Sequence, residues 1–209
     1  MSVKLIDHMG TDLSVVNAAR VSFAKENKEF QVVDDSRLIR YLAKHNHWSP
    51  FGHASLQFHV TAPVFVARQL VKHQVGLVWN EVSRRYVDSE PEFHFVEEWR
   101  GSPDNKKQGS SNEVINISTH IQDDYIDMCT YTYRYLLDKG VCPEQARMVL
   151  PQSMMTEWYW SGTLMAFARV CNLRCKEDAQ KETQDIANSI DSLCRTQFPV
   201  SWNALREGN

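Results

Sequence analysis

The sequence has 209 residues, a length that suits one domain with enough chain to enclose a hydrophobic core. Its 43% hydrophobic and 23% charged residues exclude an intrinsically disordered chain, and the longest apolar run, residues 62–67, is too short to span a bilayer. The formal net charge of −3 gives no general attraction to nucleic acid, so we expect neither a membrane nor a nucleic-acid partner.

The N-terminal part of the chain predicts two strands and two helices. Residues 3–6 suit a short strand, and a helical pattern follows from residue 12 to about residue 22. Three N-cap candidates at 34–36 precede a second helix, whose apolar positions repeat at helical spacing. Residues 54–60 alternate between apolar and polar side chains, which is typical of a strand with one buried face.

A helix is predicted to follow this strand directly. The tripeptide Thr61-Ala62-Pro63 suits a helix start, because proline in the first turn removes no hydrogen bond that the helix needs. The pattern continues to about residue 74 and should end near Gly76. Residues 100–112 are rich in glycine, serine and charged side chains, and they predict a loop or lid.

The C-terminal half is mainly helical by pattern. Ser110 and Glu113 have the spacing of a capping box, which predicts a long helix from residue 113 to residue 139. Further helices are predicted at 145–150, 163–174 and 177–198. Together the elements predict a single α+β domain over residues 1–209, in which a helix cluster packs on a small antiparallel sheet.

Neither the cysteines nor the histidines have the spacing of a metal site. The five cysteines contain no CxxC pair, and Cys171 with Cys175 offers only two ligands. A zinc interpretation of the four histidines in segment 45–59 lacks a cysteine or carboxylate to complete the set. We therefore expect no metal and five free thiols in a reducing compartment. Since residues 1–10 do not resemble a signal peptide, we expect a cytoplasmic protein.

Two neighbouring segments carry side chains suited to a nucleotide. On a helix, Arg68 and Lys72 lie one turn apart on one face, although an amphipathic helix with a solvated face gives the same pattern. Ser83-Arg84-Arg85 then offers a hydroxyl and two guanidinium groups, whose planar forks bind phosphate oxygens in pairs. Glu81 is suited to accept a hydrogen bond from a ribose hydroxyl or a base nitrogen.

Two more arginines, Arg147 and Arg174, interrupt otherwise apolar helical segments. Such a cation needs a partner, which is either a carboxylate of the protein or a bound anion, and the sequence leaves both open. For Arg174 the candidate carboxylates are Glu177 and Asp178. No glycine-rich phosphate loop of the GxGxxG or GxxxxGK[ST] type occurs in the sequence, so we do not expect a Rossmann or P-loop nucleotide site.

The order of these motifs resembles the signature of flavin-dependent thymidylate synthases. The signature consists of Phe-Val-Ala-Arg-Gln at 65–69, a tripeptide with a central histidine at 72–74, and Asn-Glu-x-Ser-x-Arg-Tyr at 80–86. Further segments match the family in order and spacing, at 18–23, 45–51, 58–60, 146–151 and 172–174. The resemblance therefore covers most of the chain, and it rests on the ordered set rather than on one motif.

The resemblance implies an enzyme that converts dUMP to dTMP, with methylenetetrahydrofolate as the carbon donor and NADPH-reduced FAD as the hydride source. It also implies a homotetramer whose active sites lie where subunits meet. The residues carried over as dUMP-binding are Gln69, Lys72, Glu81, Ser83, Arg84, Arg85, Arg147 and Arg174. Those carried over for FAD or folate are Ser22, His47, Ser49, Lys72, His73, Gln74, Asn80, Glu81 and Arg169. Arg174 is the catalytic candidate, because a fixed cation beside the uracil favours its N3-ionised form.

The chain departs from the family pattern at several positions. The usual Arg-His-Arg tripeptide is Lys72-His73-Gln74, which lacks both guanidinium groups, and one extra residue follows it. A family glutamate is replaced by Gly52, and a flavin-contacting histidine is replaced by Asp178. Two family asparagines appear as Thr163 and Arg169, and Arg169 is a candidate to restore the missing charge.

Two other functions remain open from the sequence. The altered tripeptide and Asp178 also suit a flavin- and folate-dependent nucleotide hydroxymethylase on the same scaffold. The second alternative is a non-enzymatic module that binds nucleotides or single-stranded nucleic acid, with Trp79 and Tyr86 as stacking surfaces. Analysis of the product from dUMP tests the first alternative, and the salt dependence of oligonucleotide binding tests the second.

Overall fold

The computed structural model describes residues 1–104 and 109–207. In chain order its strands and helices are β1 (Ser2–Met9), α1 (Asp12–Arg20), α2 (Val32–Lys44), β2 (Ser55–Pro63), α3 (Val64–Leu70), β3 (Leu77–Glu81), β4 (Trp99–Arg100), β5 (Val114–Ile115), α4 (Ile121–Asp138), α5 (Pro143–Ala146), β6 (Met155–Thr163), α6 (Leu164–Arg174), α7 (Lys181–Gln197) and α8 (Pro199–Arg206). Short 3-10 helices lie at Val21–Phe23, Ser49–His53 and Arg147–Val149. The predicted α+β class is confirmed.

The main sheet is antiparallel, with the strand order β1-β2-β6-β3. β2 and β6 pair along their whole lengths, and β3 pairs with the other edge of β6, where Leu77 lies opposite Gly162. A Cβ atom at position 162 would lie 2.6 Å from the carbonyl oxygen of Gly76, so a side chain there would force β3 to shift. Glycine at 162 therefore lets β3 lie close to β6, and β3 carries Glu81 at its end.

The hydrophobic core lies between one face of this sheet and a layer of helices. The apolar side chains of β2 predicted to share a face, Leu56, Phe58 and Val60, are all buried, as expected from their alternation. Phe167 of α6 packs edge-on against Phe58, with ring centroids 4.9 Å apart. The helices α2, α6, α7 and α8 pack against one another around this core. This packing fixes the ends of α3 and α6, where several candidate site residues lie.

The helix start predicted at residues 61–63 is wrong. Thr61 and Ala62 belong to β2, because they pair with Glu157 and Thr156 of β6, a strand that the local pattern did not predict. The helix α3 therefore begins at Val64, with Pro63 as its N-cap, and it ends at Leu70 rather than near residue 74.

The capping box at Ser110 and Glu113 is also wrong, since α4 begins at Ile121. The hydroxyl of Ser110 accepts a hydrogen bond from Nε of Arg100 at 2.9 Å, and the segment before α4 pairs as the ribbon β4–β5. Residues 105–108 of the predicted loop or lid, 100–112, lie outside the described residues, and its role as a lid stays a prediction.

The C-terminal helices differ in their bounds from the pattern. The predicted helix 177–198 begins at Lys181, and the separate helix α8 begins at Pro199, because proline removes a backbone donor and ends the preceding helix.

Within the described residues, no helix combines the length and the apolar character needed to cross a membrane. The five cysteines are free thiols, as predicted.

Candidate active site

A cleft of about 580 Å³ lies where β3, β6 and the start of α3 meet the segment after α5. We call it the arginine cleft, because Arg68 from α3, Arg84 after β3 and Arg147 from the last 3-10 helix line it together with Glu81. Arg84 donates to the backbone carbonyls of Ser89 and Glu90, and Nε of Arg147 donates to the carbonyl of Glu144 at 3.2 Å. The cleft therefore holds three guanidinium groups, two of which the local backbone fixes in position.

None of these three arginines has a carboxylate partner within residues 1–104 and 109–207. Carboxylates do line the cleft, but two of them contact other side chains. Glu90 pairs with Arg134, and Glu157 lies 3.1 Å from Nε2 of His59. The sequence left two possible partners for Arg147, a protein carboxylate or a bound anion. The structure shows no carboxylate partner among the described residues, so the positive charge of Arg147 remains available to an anion.

The carboxylate of Glu81 is held in a fixed orientation. Oε1 accepts a hydrogen bond from the Thr156 hydroxyl at 2.9 Å, and Oε2 accepts one from the Trp79 indole nitrogen at 3.1 Å. Trp79 is itself fixed by stacking on the buried Trp158, with ring centroids 4.2 Å apart. Each carboxylate oxygen keeps a further lone pair, so Glu81 can accept a hydrogen bond from a ligand in a defined direction.

The catalytic candidate Arg174 lies away from the arginine cleft, at the end of α6. Its Nε donates a hydrogen bond of 3.0 Å to Nε2 of His73, which follows α3. Burial, and to a lesser extent the positive charge of Arg174, lowers the pKa of His73 below its ordinary value of 6.5, so His73 is neutral and carries its proton on Nδ1.

Arg174 has no carboxylate partner in the described part of the chain, so the alternative that it pairs with Glu177 or Asp178 is wrong. Burial lowers the pKa of its guanidinium, which still carries its charge at neutral pH. Its bond to His73 uses Nε alone. The two terminal nitrogens of Arg174 are therefore left to donate to a ligand.

Three of the residues carried over for FAD or folate line a second cleft of about 660 Å³. Ser22, His47 and Ser49 meet there, beside the rings of Tyr41 and Trp48. Trp48 also borders a third cleft of about 810 Å³, in which Arg169 lies with Arg40 and Lys44. We call the two adjoining clefts the tryptophan groove. Arg40, Lys44 and Arg169 have no ion pair with any described residue, whereas Arg20, which lines the second cleft, pairs with Asp35.

The remaining predicted site residues lie outside these clefts in the single chain. Lys72, Gln74, Asn80 and Arg85 are exposed, and the Ser83 hydroxyl accepts a 3.2 Å hydrogen bond from Nε of Arg85. Gln69 is half-buried, and its Oε1 is buried without a hydrogen-bond partner in the described structure. Lys72 follows the end of α3 and lines none of the three clefts. One chain thus brings together Glu81, Arg84 and Arg147 but not the whole predicted nucleotide set.

Comparison with known proteins agrees with the motif order. A family profile described as "Thymidylate synthase complementing protein" matches residues 4–200. A flavin-dependent thymidylate synthase of Thermus thermophilus is 38% identical over 206 residues, which are 98% of this chain and 75% of the relative. That of Thermotoga neapolitana is 38% identical over 207 residues, covering 97% and 89%. The chain belongs to the flavin-dependent thymidylate synthase family.

A solved structure extends the comparison within this enzyme family. The UMP/dUMP methylase PolB from Streptomyces cacaoi, in its crystal structure with 5-Br dUMP, superimposes with a TM-score of 0.83 at 30% identity. The match covers 97% of this chain and 93% of PolB. The same methylase with 5-Br UMP gives a TM-score of 0.78 at 29% identity. The fold predicted for the family is therefore the fold of this chain.

The structure places three residues in or beside the arginine cleft that the sequence did not assign to a candidate site. Arg68 shares the arginine cleft, although the sequence had placed it only in the Phe-Val-Ala-Arg-Gln motif and one turn before Lys72. Trp79 had been noted only as a stacking surface, and its bond to Glu81 depends on the conformation of β3. Thr156 gave no signal, because β6 was not recognised as a strand and its partner is 75 residues away.

Proposed function

We propose that this protein methylates dUMP to dTMP, with methylenetetrahydrofolate as the carbon donor and NADPH as the reductant of bound FAD. The observation that carries the proposal is the arginine cleft, in which an oriented carboxylate faces three arginines that have no carboxylate partner in the described residues. A volume of about 580 Å³ suits a mononucleotide, and hydrogen bonds hold the side chains of Glu81, Arg84 and Arg147 in position.

Within the arginine cleft, the phosphate of the nucleotide and its ribose or base have separate partners. Arg68, Arg84 and Arg147 supply charge-assisted hydrogen bonds to the phosphate, whose oxygens match the guanidinium fork. Glu81 accepts from a ribose hydroxyl or from the base, because both of its oxygens are already oriented by Trp79 and Thr156. These contacts hold the nucleotide and do not themselves move a proton.

Since Arg174 lies away from the arginine cleft within one chain, we propose that it acts on the uracil ring of a nucleotide held in the arginine cleft of a partner chain. The neutral His73 accepts from Nε and fixes the plane of the guanidinium, which leaves two terminal nitrogens to donate to the base. Negative charge develops on the ring as C5 becomes nucleophilic, and a half-buried cation fixed in advance stabilises that charge more strongly than a solvated one. The role of Arg174 is therefore electrostatic.

The tryptophan groove fits FAD. Hydroxyls of Ser22 and Ser49 lie beside the rings of Tyr41 and Trp48, which suits a planar ring system with polar edges. The adjoining cations Arg40, Lys44 and Arg169 lack ion-pair partners in the described residues and suit a diphosphate. They supply the charge that Lys72-His73-Gln74 lacks. Bound FAD, once reduced by NADPH, supplies the hydride that completes the methyl group.

The active protein is proposed to be a homotetramer in which several chains complete each site. The support is the separation of the predicted nucleotide residues within one chain and an exposed apolar stripe on α4. The stripe consists of Ile121, Tyr125, Met128, Tyr131 and Tyr135, which are all at least 49% exposed. Sedimentation equilibrium at micromolar concentration tests this, and a monomer both with and without FAD would contradict it.

The deciding experiment incubates the protein with dUMP, methylenetetrahydrofolate, FAD and NADPH and analyses the nucleotide by mass spectrometry. We expect a methyl group on the uracil, and no product when either FAD or NADPH is left out. A hydroxymethyl group would identify the hydroxymethylase instead. Absence of any product, with salt-sensitive binding of oligonucleotides and no retained flavin, would support the non-enzymatic module.

UMP methylation is the second candidate, because a structural neighbour of this chain is named a UMP/dUMP methylase. Competition between UMP and dUMP in the same reaction measures the ratio of the two kcat/KM values directly. A ratio that favours dUMP by at least about tenfold, a difference of about 1.4 kcal/mol, supports the thymidylate assignment.

A further inference from the structure

A thiol pair lies at the end of α6, next to the residue that the proposed mechanism uses. The sulfurs of Cys171 and Cys175 and a carboxylate oxygen of Asp191 all lie within 4.8 Å of one another. Cys171 is buried, whereas Cys175 is the half-buried C-cap of the helix and follows Arg174 directly. The backbone N–H of Cys175 donates to the carbonyl of Cys171 at 3.0 Å, which is the last hydrogen bond of the helix.

The two sulfurs differ in environment. The Cys171 sulfur lies 3.5 Å from the carbonyl oxygen of Ala187, and burial raises the pKa of this thiol well above the ordinary value. A hydrogen bond from Cys171, helped by the positive charge of Arg206, lowers the pKa of Cys175. Thiolate character is therefore concentrated on Cys175, the more accessible sulfur, and the thiolate is the form that oxidants attack.

A metal ion is a poorer occupant of this cluster than a disulfide. Oδ1 of Asp191 accepts from Trp202 at 3.1 Å and from Arg206 at 2.7 Å, and Oδ2 accepts from Arg195 at 3.0 Å. The carboxylate is thus already neutralised by two guanidinium groups, which would repel a cation. The pair of sulfurs is left as the reactive element.

Helix geometry allows the pair to close only with a local change. Cα atoms at i and i+4 of an α-helix are about 6 Å apart, inside the range of about 4.4–6.8 Å found in disulfides. The corresponding Cβ atoms are about 5–6 Å apart and must approach to about 3.8 Å. Since Cys175 is the C-cap, tightening of the last turn closes the pair, and Arg174 moves with it.

We propose that Cys171 and Cys175 are a redox-sensitive pair whose disulfide withdraws Arg174 from His73. Hydrogen peroxide oxidises the Cys175 thiolate to a sulfenic acid, and the hydroxide that leaves takes up a proton to become water. The Cys171 thiol then attacks that sulfur, the S–S bond forms, and a second water leaves. In total, two thiols and one peroxide give one disulfide and two waters. A dithiol reductant reverses the step.

The disulfide is detected directly by peptide analysis. Protein treated with hydrogen peroxide is blocked with iodoacetamide and digested with trypsin, which cleaves after Arg169, Arg174 and Lys176. We expect peptides 170–174 and 175–176 to be joined by an S–S bond in wild type, and the link to be lost on reduction with dithiothreitol. Cys142→Ser, which removes an exposed thiol elsewhere, serves as the matched control and should keep the link.

The displacement of Arg174 has a readout that does not depend on enzymatic activity. NMR titration of the His73 imidazole, assigned with His73→Gln, should show its pKa rising after oxidation, because the neighbouring positive charge moves away. Cys175→Ser should titrate identically with and without peroxide. If the proposed function holds, oxidised wild type also loses turnover and dithiothreitol restores it, while Cys175→Ser keeps full activity under both conditions.

Two results would overturn the proposal. Complete alkylation of both thiols after peroxide treatment would show that no disulfide forms between them. A disulfide that leaves the His73 titration unchanged would show that Arg174 does not move. If the reduced protein does not convert dUMP, the proposed function is contradicted. The peptide analysis and the His73 titration would still test the disulfide, because neither depends on enzymatic activity.

Discussion

Replacing Thr156 with valine tests whether the orientation of Glu81 matters for nucleotide binding. The change removes one of the two hydrogen bonds to the carboxylate and nearly preserves the size of the side chain. Thr156 is buried in β6, and valine has a strong strand preference, so the fold should tolerate it. Trp79→Phe removes the second bond but keeps a ring that can stack on Trp158.

The expected magnitude follows from the exposure of Glu81. A hydrogen bond to a charged group contributes about 1.5–3 kcal/mol when its loss leaves the partner unsatisfied. Glu81 is exposed at the cleft, so water replaces most of each lost bond, and about 1 kcal/mol is the reasonable expectation. That free energy corresponds to roughly a fivefold rise in KM for dUMP in each variant, with a smaller change in kcat.

Steady-state kinetics with varied dUMP, on enzyme loaded with FAD, gives the split between KM and kcat. The double variant should raise KM by a factor different from the product of the two single effects, because both bonds act on one carboxylate. Thr156→Ser, which restores the hydroxyl, should return KM close to wild type. Thermal melting of each variant separates a change at the site from a loss of folded protein.

One pattern of results would refute the reasoning. Wild-type KM in both Thr156→Val and Trp79→Phe, together with a large increase in Glu81→Gln, would show that the carboxylate binds the nucleotide without needing either hydrogen bond. Glu81 would then be oriented by the ligand itself, and the two donors would serve only the packing of β3 on β6.

The remaining predictions concern three arginines and His73. Arg174→Ala should lower kcat with dUMP strongly while NADPH still reduces the flavin, and an unchanged kcat would remove its role at the uracil. Arg147→Ala should raise KM for dUMP about ten- to a hundredfold in steady-state assays. An equal effect in Arg85→Ala would place that exposed side chain in the cleft of a partner chain. The pKa of His73 is lowered in the folded protein, so the unfolded chain binds the extra proton first as pH falls. The free energy of unfolding should therefore be fully retained above pH 6.5 and decrease below it, and His73→Gln should flatten that decrease in urea titrations.

Local chemistry was enough to predict much of this protein from its sequence. The alternation of Leu56, Phe58 and Val60 marks a strand, because successive side chains of an extended backbone point to opposite faces. The helix α6 was predicted from 163 to 174, and Thr163 caps it by accepting from the N–H of Ala166 at 3.2 Å. The order of the motifs identified the family without any knowledge of contacts.

Contacts between residues far apart in the sequence could be identified only from the tertiary structure. The strand β6 carries Trp158 and Trp160 on its buried face, but the sequence pattern did not predict it. Without β6, residues 61–63 have no strand to pair with, and the extension of β2 to Pro63 could not be predicted. The bond from Thr156 to Glu81 joins residues 75 apart, and the bond from Arg174 to His73 joins residues 101 apart. Periodicity and caps depend on neighbours within one or two helical turns, whereas strand pairing and side-chain convergence depend on how the whole chain packs, which no local pattern specifies.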